Sequence, residues 1–329
     1  MKKLISIVIP VYNEEANIRR LHGRLQSALA GIEKTYELEF VFTDNHSEDM
    51  TFPLLQELAR EDARVRAYRF SRNFGFQRSI LSGYRLARGA AAVQIDCDLQ
   101  DPPEIIPEFI KKWEEGFHVV YGVRMRRPEP FTLRLARKAF YRLLDTLADE
   151  HLPHDAGDFR LVDRRVLDVV TGINDANPYL RGMIAGTGFS QVGVTYDRDK
   201  RTAGESKFGF RDLVRLALDA IANHSVVPLK LASVAGIGIT ILSFLAAAFW
   251  FINFFFFGDT WPRGFATLVI TVLFLSGMNA LFIGIIGEYV GRIYQQVKTR
   301  PTAVIQDAVE EKVPLDDTRM RVLNTRVRG

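Results

Sequence analysis

The chain has 329 residues, with 43 Lys and Arg against 39 Asp and Glu for a net charge of +4, and 47% of its residues are hydrophobic. The single cysteine, Cys97, excludes an intrachain disulfide and a cysteine-cluster zinc site, and it fits a reducing compartment. The modest positive charge suits anionic lipid headgroups and phosphorylated substrates; no recognition motif accompanies it that would direct it to nucleic acid.

Met1-Lys2-Lys3 followed by the apolar run 4–11 has the outline of a signal peptide. The run is short, contains Pro10 and lacks a small-residue cleavage site, so it predicts a first strand instead. Residues 5–10, 39–43 and 90–95 read as strands, and 14–31 and 51–61 carry apolar residues at helical spacing. This alternation predicts an α/β domain with a mostly parallel sheet flanked by helices, and such sheets bind ligands at the carboxyl ends of their strands. A second part of the domain runs from about 119 to 196. Residues 208–223 are amphipathic and either lie in a membrane surface or pack on the domain.

Residues 231–258 and 264–287 contain no Asp, Glu, Lys or Arg, and each exceeds the ~20 apolar residues that cross a bilayer as a helix. A C-terminal two-helix transmembrane hairpin is predicted, with helices at about 231–257 and 265–287 joined by Asp259-Thr260-Trp261-Pro262-Arg263. Arg211, Arg215 and Lys230 precede it and Arg292, Lys298 and Arg300 follow it, which by the positive-inside rule puts both flanks in the cytoplasm. The expected organisation is a catalytic domain at 1–210, a juxtamembrane segment at 208–228, the hairpin within 229–295, and a polar, partly disordered tail at 296–329. Gly236, Gly238, Gly277, Gly284, Gly287 and Gly291 offer small surfaces for packing inside the hairpin or in a homo-oligomer.

The strongest polar motif is Asp96-Cys97-Asp98-Leu99-Gln100-Asp101-Pro102-Pro103, directly after the third strand. Two carboxylates one residue apart can present oxygens to a divalent cation, and Mg²⁺ typically takes one or two carboxylates plus substrate phosphates. The alternative is an acidic turn starting the next helix, since Asp101-Pro102-Pro103-Glu104 also resembles a helix start. Tyr12 and Glu14 read by themselves as a strand-end aromatic and a helix N-terminal acid.

Taken with Ile9-Pro10-Val11-Tyr12-Asn13-Glu14, Thr43-Asp44-Asn45-His46-Ser47 and Ser71-Arg72-Asn73-Phe74-Gly75, this motif resembles family 2 glycosyltransferases of the GT-A fold over roughly the first 210 residues. Gly157-Asp158-Phe159-Arg160-Leu161, Gly204-Glu205-Ser206-Lys207-Phe208 and Gly287-Glu288-Tyr289-Val290-Gly291-Arg292 extend the resemblance to polyisoprenyl-phosphate glycosyltransferases, of the bacterial bactoprenol glucosyltransferase type. The resemblance implies Pro10, Tyr12 and Glu14 around the base and ribose, Asp44 on the base, and Asp96 near the ribose or diphosphate. It further implies Asp98 with Gln100 on a Mg²⁺ or Mn²⁺ ion, and Asp158 as the carboxylate proposed as catalytic base. A lipid phosphate needs cations, for which Arg124, Arg160, Arg201 and Lys207 are candidates, with Ser206 as a hydroxyl donor.

The family commonly has Asp-Asp-Gly-Ser where this chain has Asp44-Asn45-His46-Ser47, which removes one charge and one residue of free backbone. The implied activity is inverting transfer of a sugar, glucose from UDP-glucose first, to undecaprenyl or dolichyl phosphate at the cytoplasmic face of a bacterial inner membrane, as in lipopolysaccharide O-antigen modification. The Asp158 role is chemically open, because a phosphate monoester with its second pKa near 6 is a nucleophile without help. Two rival readings are a processive polysaccharide synthase, for which no Gln-x-x-Arg-Trp segment is present, and a non-catalytic nucleotide-sugar-binding membrane protein, against which the acidic motif is intact.

Overall fold

The computed structural model describes residues 2–124, 156–197, 264–298 and 301–310, with isolated helical positions between 232 and 256. These fall into two units: 2–124, 156–197 and 301–310 in the first, the remainder in the second.

The first unit is built on one eight-stranded sheet. Its strands are β1 (Lys3–Val11), β2 (Tyr36–Asp44), β3 (Val65–Phe70), β4 (Ala91–Gln94), β5 (Val119–Arg124), β6 (Ala156–Asp163), β7 (Gln191–Tyr196) and β8 (Ile305–Val309), in the spatial order β7-β5-β6-β4-β1-β2-β3-β8. The block β4-β1-β2-β3 is parallel throughout. In contrast, β6 runs antiparallel to both β4 and β5, and β8 antiparallel to β3.

Strand alternation divides the core into two layers. Ile5, Ile7, Ile9 and Val11 face one layer with helices α1 (Ile18–Leu29), α2 (Thr51–Glu61) and α4 (Ile106–Glu114). Val8 faces the other with α3 (Phe76–Leu86), α5 (Arg164–Gly172) and α6 (Leu180–Ala185). Helix α3 lies so close to β1 that a Cβ at Gly83 would collide with Val8 Cγ1, so only glycine lets helix and sheet touch there. Pro10, expected beside a nucleotide base, is buried near the carboxyl end of β1. Its missing N–H falls just beyond the last β1–β4 register pair, Val8–Gln94, where the paired ladder ends.

The second unit contains helix α7 (Phe265–Val297). By length and composition, α7 is long and apolar enough to cross a membrane, its window Phe274–Gly291 having mean hydropathy 1.3 and no part buried. Leu268, Val272, Phe274, Leu281, Ile283 and Ile286 are all exposed on it, the surface expected of a helix solvated by hydrocarbon. The helix continues past residue 287 to Val297, carrying Glu288 and Arg292 with it. Its expected partner at about 231–257 falls largely outside the described residues, as do residues 208–228, so one such helix, and not a paired hairpin, is described.

The segment after Arg300, expected to be polar and partly disordered, contributes β8 to the sheet edge. A buried ion cluster holds it there: Arg66 Nη1 donates to Glu39 Oε2 (2.6 Å), while its Nε and the Tyr68 hydroxyl donate to Glu310 Oε2 (both 2.9 Å). Removing one member of such a cluster strands the others away from water. Glu310→Ala is therefore expected to cost about 3 kcal/mol or more. Arg88→Ala removes the outer partner of Glu310, 32% exposed, and is expected to cost less than about 1 kcal/mol. Thermal unfolding of the full chain in detergent compares the two, and equal losses would contradict this account.

Candidate active site

Parallel pairing sets the carboxyl ends of β1, β2 and β4 side by side, with Val11 in register with Asp44 and Val8 with Gln94. Each of the three loops that leave these ends turns through a left-handed residue: Asn13 (φ 55°), His46 (φ 66°) and Leu99 (φ 60°). These are the non-glycine residues with positive φ among the described residues, and a cluster of such strain is a mark of functional loops. His46 stands where the family commonly has glycine, and its backbone explains that preference. Its Nδ1 lies 3.0 Å from the Phe70 carbonyl oxygen, a hydrogen bond that offsets part of the strain.

The first two loops are stitched together. Asn13 N donates to Ser47 Oγ (2.9 Å), Glu48 N to Asn13 Oδ1 (2.9 Å), and Ser47 N to Asp44 Oδ1 (3.0 Å). Glu14 N donates to Thr51 Oγ1 (2.8 Å), and Asn17 Nδ2 to Glu14 Oε2 (2.7 Å), which fixes Glu14 at the entry to α1. Asp44 is fully buried, and its Oδ2 accepts no hydrogen bond, Arg69 Nε standing 3.7 Å away. Burial pushes its carboxyl up, against the pull of Ser47 and Arg69. Tyr12, directly after β1, is 44% exposed.

The third loop holds the acids. Gln94 Nε2 donates to Asp96 Oδ1 (2.8 Å), and Asp98 Oδ1 accepts from Gln100 N (3.1 Å). Gln100 itself is buried. Asp101 is an anchor: the Tyr196 hydroxyl donates to its Oδ1, and Arg124 Nη2 lies 3.6 Å from its Oδ2. Tyr196 packs against Gly122, where a Cβ would come within 2.6 Å of its ring. Arg124, read as a phosphate ligand, thus has a structural partner, although its side chain remains 36% exposed.

Strand β6 brings in the remaining acid. Gln94 and Arg160 are register partners, so continuing the antiparallel pairing by two residues sets Asp158 opposite Asp96. Arg160, also read as a phosphate ligand, is 4% exposed; it faces the α3 layer and donates Nη2 to the Gly157 carbonyl (2.8 Å). Burial pulls its guanidinium pKa down, and that position cannot meet an external phosphate. Asp158 pairs not with Arg160 but with Arg181 in α6, whose Nε donates to Oδ1 (3.0 Å) and Nη2 to Oδ2 (3.3 Å). Arg201, Ser206 and Lys207 lie outside the described residues.

The two facing acids differ in their surroundings. Asp158 has a guanidinium, while Asp96 is pushed up to about 7 by burial and by the charges of Asp101, Asp98 and Asp158, with the Gln94 amide opposing. That surplus of negative charge fits a divalent cation. Among the described residues no three His, Cys, Asp or Glu side chains form a metal cage.

A model of glycosyl transferase family 2 matches residues 6–171. The chain is 42% identical to an uncharacterised glycosyltransferase of Bacillus subtilis strain 168, over 96% of this chain and 98% of that protein. It is 36% identical to the SfII prophage-derived bactoprenol glucosyl transferase of Shigella flexneri, over 92% of this chain and 97% of that one. Among solved structures, glucosyl-3-phosphoglycerate synthase from Mycobacterium tuberculosis, in complex with Mn²⁺, UDP and glucosyl-3-phosphoglycerate, aligns at 17% identity with a TM-score of 0.45, over 67% of this chain and 78% of that one.

The crowding at Asp96 has a thermodynamic signature. With its folded pKa raised from 3.8 to about 7, its ionisation opposes folding, a cost that appears as pH rises above 3.8 and is complete above about 7. Asp96→Asn is expected to be more stable than the parent at pH 8 by on the order of 4 kcal/mol, and by less than about 1 kcal/mol near pH 4. Unfolding midpoints of both proteins across that range, in the presence of chelator, check this; a difference independent of pH would refute it.

Proposed function

The chain belongs to glycosyl transferase family 2 and is a glycosyltransferase, and from that premise we propose that it moves a sugar from a nucleotide diphosphate to a polyisoprenyl phosphate. The observation that carries this reading is the meeting of Asp96 and Asp98, neither in an ion pair among the described residues, with an Asp158–Arg181 pair beyond the β4–β6 register. An acidic pole suits a cation bound with a diphosphate, and an arginine beside it suits an anionic acceptor. The bactoprenol glucosyl transferases among its relatives support the acceptor class, and glucose carried on UDP is the first choice of donor.

In the proposed roles, Tyr12 stacks on the base, and the Asp44 Oδ2 that has no partner accepts from a base N–H. Glu14 faces the ribose, and Asp96 borders the ribose and diphosphate. Asp98, with Gln100, holds Mg²⁺ or Mn²⁺. The ion, when bound, neutralises charge on the departing nucleoside diphosphate. The acceptor phosphate oxygen attacks the anomeric carbon from the opposite side, so an α-linked donor gives a β-linked lipid phosphosugar. Proximity and fixed charges supply the rate enhancement. Helix α7 and a second span before it keep the site at a membrane that contains the acceptor, with both termini in the bacterial cytoplasm.

The test uses the purified full chain in detergent with undecaprenyl phosphate and radiolabelled UDP-glucose, UDP-N-acetylglucosamine, UDP-galactose or GDP-mannose. A labelled lipid is expected with Mg²⁺ or Mn²⁺ and none after chelation. Asp98→Ala should lower turnover by roughly a hundredfold or more. Full turnover by that variant would overturn the metal assignment.

A further inference from the structure

The geometry points to Arg181 as the residue that receives the acceptor phosphate, and to Asp158 as the positioning residue that holds Arg181 in place. The inference rests on the polyisoprenyl phosphate acceptor proposed above. It reverses the expected roles, in which Asp158 removes a proton from the acceptor.

Three arginines surround Asp101 and Asp158. Arg160 is 4% exposed and faces the interior layer. Arg124 is tied to Asp101 and Tyr196. Arg181 is 38% exposed at the rim, and it holds Asp158, itself only 14% exposed, by two hydrogen bonds. A guanidinium can grip a carboxylate by one edge and a phosphate by another, which a lysine cannot do in a fixed plane. Arg124, 36% exposed, and Arg181, 38% exposed, are thus both oriented and within reach of solvent; Arg181 is the one that Asp158 holds with both carboxylate oxygens, whereas Arg124 stands 3.6 Å from Asp101.

Charge decides what Asp158 can do. Asp96, Asp98, Asp101 and Asp158 stand close enough that the last three all act on the first. A phosphate brought to this rim meets repulsion from every one of them. Arg181 cancels the nearest acid, and the same guanidinium then attracts the phosphate. A carboxylate that keeps an arginine with both oxygens is poorly placed to take a proton. It has little need to, because a phosphate monoester with a second pKa near 6 is mostly dianionic at neutral pH.

The transfer then balances without a base. A phosphate oxygen lone pair forms the new bond to the anomeric carbon, the bond from that carbon to the diphosphate oxygen breaks, and its electron pair leaves with the nucleoside diphosphate. No proton has to move.

The experiment measures kcat, acceptor KM with undecaprenyl phosphate, and donor affinity by calorimetry without acceptor, for the full chain and for Arg181→Gln, Arg181→Lys and Asp158→Asn. Loss of a charge-assisted contact predicts an acceptor KM about tenfold or more higher in Arg181→Gln, a smaller rise in Arg181→Lys, and unchanged donor affinity in both. Asp158→Asn should shift acceptor KM in the same direction and keep kcat within about tenfold, whereas loss of a general base costs roughly a hundredfold or more in rate. A collapse of kcat in Asp158→Asn at constant acceptor KM overturns the inference, as does an unchanged acceptor KM in Arg181→Gln. If Arg181→Gln does not fold, Arg181→Lys carries the same comparison. A wild-type chain that binds donor but forms no lipid product overturns the acceptor reading, and the inference with it.

Discussion

Everything at the head of this sheet is shaped by the concentration of negative charge on β4 and its neighbours. Four carboxylates, Asp96, Asp98, Asp101 and Asp158, gather where two anionic substrates are proposed to meet, and each is handled differently. Asp101 is buried against a tyrosine hydroxyl and an arginine. Asp158 has Arg181, and Asp98 accepts from a backbone amide two residues on. Asp96 has a side-chain amide and, among the described residues, no ion pair, so the surplus collects there. The chain therefore keeps one acid destabilised, which is the arrangement expected where a bound cation is to supply what the protein withholds.

Holding the acids this close takes a stiff frame. The three loops that bear the site each turn through a left-handed residue, and such strain persists only where surrounding bonds over-determine it. The cross-links among Asn13, Asp44, Ser47 and Glu48 do this for the first two loops. Asp101, hooked to β5 and β7 through Arg124 and Tyr196, does it for the third. At the far edge, β8 and the Glu310 cluster close the β3 edge that the parallel block leaves open.

Much of this was legible in the sequence, and the reasons it was not legible elsewhere are specific. The apolar runs of β1, β2 and β4 and the period of α2 are local signals, and the polar blocks follow those strands directly. The antiparallel insertion of β6 beside β4 is not local. Without it nothing says that Asp158 faces Asp96, or that Arg160, two residues on, points into the α3 layer. Asp158 and Arg160 share a face of β6, so what separates them is how deeply each is covered by the helices on that face, which the 157–161 motif does not show. Arg181 sits in a six-residue helix with no motif around it, and its partner is 23 positions away. The return of residues 305–309 to the sheet was hidden in the same way, because its stability comes from Glu310 meeting Arg66 across 244 positions.

The Asp158–Arg181 pair bears on how one fold serves different acceptors. An acceptor alcohol has a pKa far above neutrality and needs a free carboxylate or imidazole to take its proton as the new bond forms. An acceptor phosphate brings its own negative oxygen and needs the opposite, a fixed positive group that offsets repulsion from the donor site. A strand position that carries a carboxylate can meet either demand, and the deciding feature is whether a cation is locked to it. Here the lock is a guanidinium held by two hydrogen bonds at 3.0 and 3.3 Å. An acid engaged in that way is suited to steer an anion rather than to strip a proton, which is the distinction that separates a phosphate acceptor from a hydroxyl one.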